Sequence, residues 1–495
     1  MPIMDEPTSL DPQIADSNSE KLVAANCYEG LVRIMADGTI GKGVATDWNI
    51  SDDGLTYTFK LRNNSHWAMF SGHKAVLGEN YEDTFDITVK AEDFKFGIER
   101  TLSEQTGSAD APLFSAVKSI STPDDFTIVF NLSYADDNFL YALTNPGAMP
   151  CDEEFFNLTN GKYGLDAKYL LCNGPFHVSK WTEKTSVKLV KNNEYNGESS
   201  VSPSSVTFYI NNNDSEVADK MNSVTYDVAF LSSSQFSSIE NKKDLNSVAV
   251  QNVTYSFIFN QNDNNYRNKN MRLAFCRSCD TSSLFDSQSD ISKADGIVPP
   301  SCKIGGEDYR NGNAAELLSY DETLAKKNFN DALLDLGSSS VETTILCTEQ
   351  YESFVKQMVQ KLQKTLGVKF VSTVKVVSES DLEAAVNDGN YSVAFYPFKA
   401  KSSFAGEIIE GFDQNNIFGY ESDVLSQKIR NIKNNSGSLE GERSAVADAE
   451  NYLVSEAVIM PVFYENSYFV TSKKTSGIYF YSSADNVCFI NAKKS

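Results

Sequence analysis

Between about residues 255 and 464 the apolar pattern switches repeatedly between the helical and the extended period, and this limits the fold more than any other feature of the chain. NKNMRLAFCRSCD places Met271, Leu273, Ala274, Phe275 and Cys279 on one broad apolar face. YDETLAKKNFNDALLDLG carries Leu324, Phe329, Leu333 and Leu334 ahead of a stop at Gly337, and ESFVKQMVQKLQKTLG repeats the arrangement with a stop at Gly367. The runs VETTILCT, VKFVSTVKVV and YSVAFYPF alternate with these helices, which is the signature of a parallel α/β sheet.

Upstream the pattern is richer in strands. A mixed helical segment from Leu22 leads to a turn at Asp37-Gly38, and after the turn at Asp53-Gly54 the residues Leu55, Tyr57, Phe59 and Leu61 alternate with polar ones. VKAEDFKFGIERTL predicts a helix from about Ala91, with Phe94, Phe96, Ile98 and Leu102 following an acidic start. FTIVFNLS, SVKLVK, SSVTFYIN and NVTYSFIFNQ read as strands, as does IMPVFYENSYFVTS near the end. No repeat or low-complexity linker separates the halves, so strands are expected to be exchanged between them.

Charge and motifs exclude several functions. The 67 acidic residues against 43 basic ones leave a net charge of −24, which disfavours a polyphosphate partner such as nucleic acid. No apolar run approaches the roughly 18–20 residues that span a bilayer. MPIMDEPTSLDP lacks the basic and apolar regions of a secretory signal, leaving a cytosolic chain and an exported chain without its leader equally open. His66, His73 and His177 have no metal-ligand spacing, Gly38, Gly41 and Gly43 no dinucleotide spacing, and there is no G-x-S-x-G. Neighbouring acids such as Asp136-Asp137 and Glu153-Glu154 arise freely in so acidic a chain. Cys276-x-x-Cys279 looks like a redox or zinc half-site, but the apolar face of its helix accounts for both cysteines. Cys151 and Cys172 bracket a stretch that a disulfide would close into a loop of about twenty residues, a gain of about 3 kcal/mol from chain entropy. Cys276 and Cys302 are further disulfide candidates. With no catalytic set and no cofactor motif, and with 23 Tyr and 31 Phe, the chain reads as a binding protein rather than an enzyme.

Several stretches in order resemble one family. They are LDPQIADSNSEKLVAANCYEGLVRI, GKGVATDWNISDDGLTYTFKLRNNSHW, VKAEDFKFGIERTL, CNGPFHVSKWTEKTSVKLVKNNEY, the NMRLAFCRSCD helix, GIVPPS and AVIMPVFYENSYFV. The chain resembles the extracellular solute-binding proteins of ATP-driven (ABC) importers, in the oligopeptide- and dipeptide-binding family, solute-binding protein family 5. The resemblance implies a large, type II periplasmic-binding-protein-like α/β fold of two hinged lobes. Lobe I is expected at 1–40, 165–254 and 465–495, an inserted strand-rich subdomain at 41–164, and lobe II at 255–464. It also implies a monomeric protein, either lipid-anchored at the extracellular face of the cell membrane, with an export signal and anchor cysteine preceding the present start, or periplasmic. Such a protein captures peptide by closing on it and delivers it to a membrane permease. The alternatives are another solute, anionic ones included, or a peptide-binding sensor or chaperone not coupled to transport.

Carried over residue by residue, the resemblance places ligand contacts at Asp16, Ser17, Asn18 and Ser19; at Leu231, Ser232 and Ser233; at Tyr255 and Phe257; at Tyr396, Pro397, Phe398, Lys399, Lys401 and Phe404; and at Tyr464. Many peptide binders carry an aspartate for the ligand's amino group where this chain has Lys401, with Lys399 two residues earlier. Like charges at about 4 Å repel by about 1 kcal/mol in water and by more in a partly buried site, so an ammonium group needs another anchor. Otherwise the lysines meet a carboxylate, of the ligand or of lobe I, or lie in solvent.

Overall fold

The computed structural model describes residues 1–35, 39–136, 138–197, 199–281, 284–285, 290–399, 404–413, 416–435, 438–481 and 486–495. They form two compact units, Met1–Ala249 with Tyr468–Ser495, and Val250–Ser467. The chain passes from one unit to the other within the strands Leu245–Phe259 and Ile459–Ser472. Among the described residues no helix is long and apolar enough to cross a membrane.

In the first unit, strands Ala45–Ile50, Thr56–Leu61, Thr127–Leu132 and Val117–Asp124 form an antiparallel sheet in that order. Alternation sets the faces: Tyr57, Phe59 and Leu61 are buried while Lys60 is exposed. The turn before this strand uses Gly54 at φ +68°, a conformation that costs glycine nothing. Helix Ala91–Leu102 lays Phe94 and Ile98, one turn apart, on the same core. A second sheet orders Pro2–Ile3, Ser205–Ile210, Ser186–Lys191 and Phe176–Thr182, with only its first pair parallel. Helices Asp214–Asn222 and Ser233–Ser238 and strand Val228–Ser232 close a smaller core around Val217, Met221, Leu231 and Val470.

The second unit has a sheet in which Ile459–Ser472 lies beside Leu245–Phe259, followed by Val393–Lys399, Val341–Thr348 and Phe370–Val377. The last three are mutually parallel, but Leu245–Phe259 runs antiparallel to Val393–Lys399, so the expected parallel sheet is mixed. Phe257, Phe259, Ile345, Val393 and Phe395 project to one face, onto helices Lys269–Arg277, Glu322–Leu336 and Glu352–Leu366. The intervening Ile258, Leu346 and Ala394 project to the other, onto helices Asp423–Asn434 and Leu439–Ser455. Burial on both faces explains why these strands read as nearly continuous apolar runs.

The reading of the sequence needs correction in places. It passed over the last two helices, and Cys279 lies beyond the end of helix Lys269–Arg277. All eight cysteines are thiols in this structure. Cys151 is buried with its Sγ 3.5 Å from Arg100 Nη1, while Cys172 is a neighbour of Cys27 instead. Cys276 and Cys302 lie in the cores on opposite faces of the second unit's sheet. The turn at Asp37-Gly38 lies outside the described residues. His73 is a buried residue and His177 is half-buried; Phe70 lies tilted against His73 at a centroid distance of 4.3 Å and stacked on His177 at 5.6 Å. Among the described residues no three His, Cys, Asp or Glu side chains gather as a metal site.

Candidate functional site

In the first unit the segment from Asp16 to Ser19 opens helix Asn18–Cys27. The Ser17 hydroxyl accepts from Glu20 N at 3.2 Å, and Glu20 returns the contact, its Oε2 accepting from Ser17 N at 3.1 Å. This is a capping box, which satisfies amides the helix leaves unpaired. Glu20 also accepts from Thr8 N (2.7 Å), Thr8 Oγ1 (2.8 Å) and Asp16 N (3.1 Å). Burial pushes its carboxyl up, but these donors outweigh burial and hold it below the ordinary range. Ser19 is buried, whereas Asp16 and Asn18 are exposed. A second capping box engages Ser232, whose hydroxyl accepts from Gln235 N at 3.2 Å while Gln235 Oε1 accepts from Ser232 N at 2.7 Å. Leu231 and Ser233 are buried beside it.

In the second unit the expected residues fall on two faces of one sheet. Register pairs Tyr255 with Pro397 and Phe257 with Phe395 on one side, and Thr254 with Phe398 and Ser256 with Tyr396 on the other. Phe257 is wholly buried. Tyr464 is 2% exposed; its hydroxyl accepts from Asp295 N at 3.1 Å and is 3.4 Å from the carbonyls of Gly296 and Val298. These contacts make Tyr464 a clamp on the G-I-V-P-P-S segment. Tyr396, Pro397 and Phe398 are half-buried, with the Phe398 ring stacked against Phe412 and Phe418; Lys399 is exposed. Phe404 is half-buried and bridges to Lys303; Lys401 lies outside the described residues.

The face that carries Tyr255 holds a group the sequence reading missed. The Tyr255 ring lies 4.4 Å from Tyr351, 5.1 Å from Phe463 and 5.5 Å from Phe395. Beside it the Glu465 carboxylate accepts from Tyr351 OH at 2.5 Å and from Gln350 Nε2 at 3.3 Å. Burial pushes the Glu465 carboxyl above its ordinary pKa, against the pull of those two donors. A half-buried carboxylate framed by aromatic rings suits a cation: the rings supply area and a negative face, the carboxylate supplies charge. The only signal in the sequence was position, since Glu465 directly follows Tyr464 in a strand and therefore projects to the opposite face.

Comparison with known proteins agrees with this architecture. The model of the bacterial extracellular solute-binding proteins, family 5 (middle region), matches residues 39–418. The dipeptide-binding protein DppE of Bacillus subtilis is 24% identical over 496 residues, covering 96% of this chain and 88% of its own. Among solved structures, Listeria monocytogenes OppA bound to peptide superposes with a TM-score of 0.76 at 21% identity, covering 100% of this chain and 98% of that one. The dipeptide-binding protein of Pseudoalteromonas sp. SM9913 in complex with Met-Leu gives a TM-score of 0.78 at 17% identity, covering 100% of this chain and 99% of that one.

Proposed function

The chain belongs to family 5 of the bacterial extracellular solute-binding proteins, and on that premise we propose that it captures peptides by hinge closure and hands them to the membrane permease of an ATP-driven importer. The observation that carries the choice of peptide is the Glu465 carboxylate set among Tyr255, Tyr351 and Phe463, a place for the one cationic group that every unmodified peptide has. It supplies the amino-group anchor that Lys399 and Lys401 cannot. Both relatives of known structure compared above bind peptides, and the chain aligns with each along its full length. Asp16, Asn18, Tyr396, Pro397, Phe398, Lys399, Lys401 and Phe404 belong to the same proposal as ligand contacts, peptide backbone being held by hydrogen bonds common to all sequences. Attachment by a lipid-modified cysteine and action as a monomer are part of it too; detergent partitioning of the native protein and its sedimentation test them.

A thermal-shift screen of peptide pools, amino acids, oligosaccharides and metal ions tests the ligand class. A peptide at one hundred times its dissociation constant is expected to stabilise the protein by about 2.7 kcal/mol. Silence toward every peptide pool, with a clear response to another class, contradicts the proposal. The anchor has its own test. Glu465→Gln is expected to weaken binding of a peptide with a free amino terminus by about tenfold or more, since a charge-assisted hydrogen bond contributes about 1.5–3 kcal/mol. The N-acetylated form of the same peptide should lose far less in calorimetric titration. Equal losses for both forms would remove Glu465 from that role.

A further inference from the structure

We propose that Cys27 and Cys172 are joined by a disulfide in the exported protein, a bond that staples the base of the strand-rich segment lying between them. Helix Asn18–Cys27 ends at the first cysteine, and residues 27–29 then run alongside residues 172–174. Gly174 N donates to Cys27 O at 2.9 Å. The Asn173 side chain pairs with both backbone groups of Glu29, accepting from its N at 3.0 Å and donating to its O at 2.8 Å. The approach is so close that a Cβ on Gly174 would lie 2.6 Å from Cys27 C and from Tyr28 N. The backbone on either side of the cysteines is therefore already clamped.

The two side chains share one core, Cys27 with no exposed surface and Cys172 at 2%. Burial, and then the neighbouring Cys172 side chain, push the Cys27 thiol well above its ordinary pKa. Once folding is complete the thiolate is scarce and the pair is closed to reagents, so the bond forms during folding. A secreted binding protein folds where disulfides persist. The step balances as exchange with an external disulfide: Cys27–SH and Cys172–SH lose two hydrogens and form one S–S bond, and R–S–S–R becomes two R–SH. The third cysteine of this core, Cys151, is occupied by Arg100 and hydrogen-bonds to Tyr163, which sets it apart from the pair. Residues 28–171, enclosed by the bond, include the whole sheet built on Thr56–Leu61. A bond there constrains the unfolded chain strongly, because the loop it closes is long.

The test is a peptide map of the full chain refolded with glutathione and glutathione disulfide, alkylated after denaturation and digested with trypsin without reduction. The expected product joins peptide 22–33 to peptide 169–180, about 2 Da lighter than their sum, with the remaining cysteines alkylated. A sample refolded with reductant should lack that product and melt several degrees lower. Refolded the same way, Cys27→Ser should leave Cys172 free for alkylation. Alkylation of both Cys27 and Cys172 in the oxidised sample, or linkage of 169–180 to peptide 119–162, which holds Cys151, would overturn the assignment.

Discussion

Replacing Glu450 with alanine is expected to destabilise the second unit by about 3–5 kcal/mol, lowering its melting temperature by about 10 °C. Glu450 is 1% exposed in helix Leu439–Ser455. It accepts from Ile297 N at 2.6 Å, Val298 N at 2.9 Å, Tyr309 OH at 3.0 Å and Arg310 Nη1 at 2.9 Å, with Arg310 Nη2 completing a two-pronged pair. Removing the carboxylate strands two buried amides and takes the counter-charge from a guanidinium that is 9% exposed, which keeps the carbonyls of Val298 and Asn313 as acceptors. The segment released is G-I-V-P-P-S, which Tyr464 clamps from its other side. All three tryptophans, Trp48, Trp67 and Trp181, lie in the first unit, so the loss should appear in urea unfolding followed by circular dichroism before indole fluorescence responds. Replacing Glu450 and Arg310 together by methionine should cost clearly less than Glu450→Ala, because no charge is then left unpaired. A loss below about 1 kcal/mol for Glu450→Ala would show that the pair does not hold the segment.

Acid should weaken the first unit through His73. Its imidazole is fully buried, with Nε2 3.1 Å from Leu170 O, and burial lowers its pKa to about 4. The unfolded chain takes up a proton near pH 6.5, which the folded protein refuses until about 4. The stability is therefore complete above pH 6.5 and is lost as the pH falls through 4, a total of about 3 kcal/mol. His177, whose pKa burial also lowers, adds a loss of the same sign. His73→Leu should show a flatter dependence of melting temperature between pH 7 and 4.5. An unchanged slope would assign the acid sensitivity to other groups.

The second unit was legible where periodicity and stop signals agreed. Helix Glu322–Leu336 ends at Gly337 in the left-handed conformation, and helix Glu352–Leu366 ends at Gly367, both as the sequence reading expects. The candidate site was less legible, for three physical reasons. Strands buried on both faces do not reveal which side of the sheet a residue takes part in, so Phe257 and Tyr464, both buried, were grouped with the half-buried Tyr255. Ser17-Asn18-Ser19-Glu20 and Ser232-Ser233-Ser234-Gln235 have the pattern of capping boxes, and the structure uses both serines in that way. Glu465 was hidden by abundance, one of 67 acids, until its neighbours Tyr351 and Gln350 were brought in from a distant turn. Sequence distance favoured Cys151 as the neighbour of Cys172, whereas Asn173 and Gly174 draw Cys172 to Cys27.

Native mass spectrometry of the protein, purified without denaturation from cells grown on peptide-rich medium, tests the central claim most directly. The account predicts added masses that resolve, after release and fragmentation, into short peptides with free amino termini, and depletion of these masses in Glu465→Gln. A protein that carries no peptide, and retains instead a sugar, a metal complex or another non-peptide solute, would contradict it.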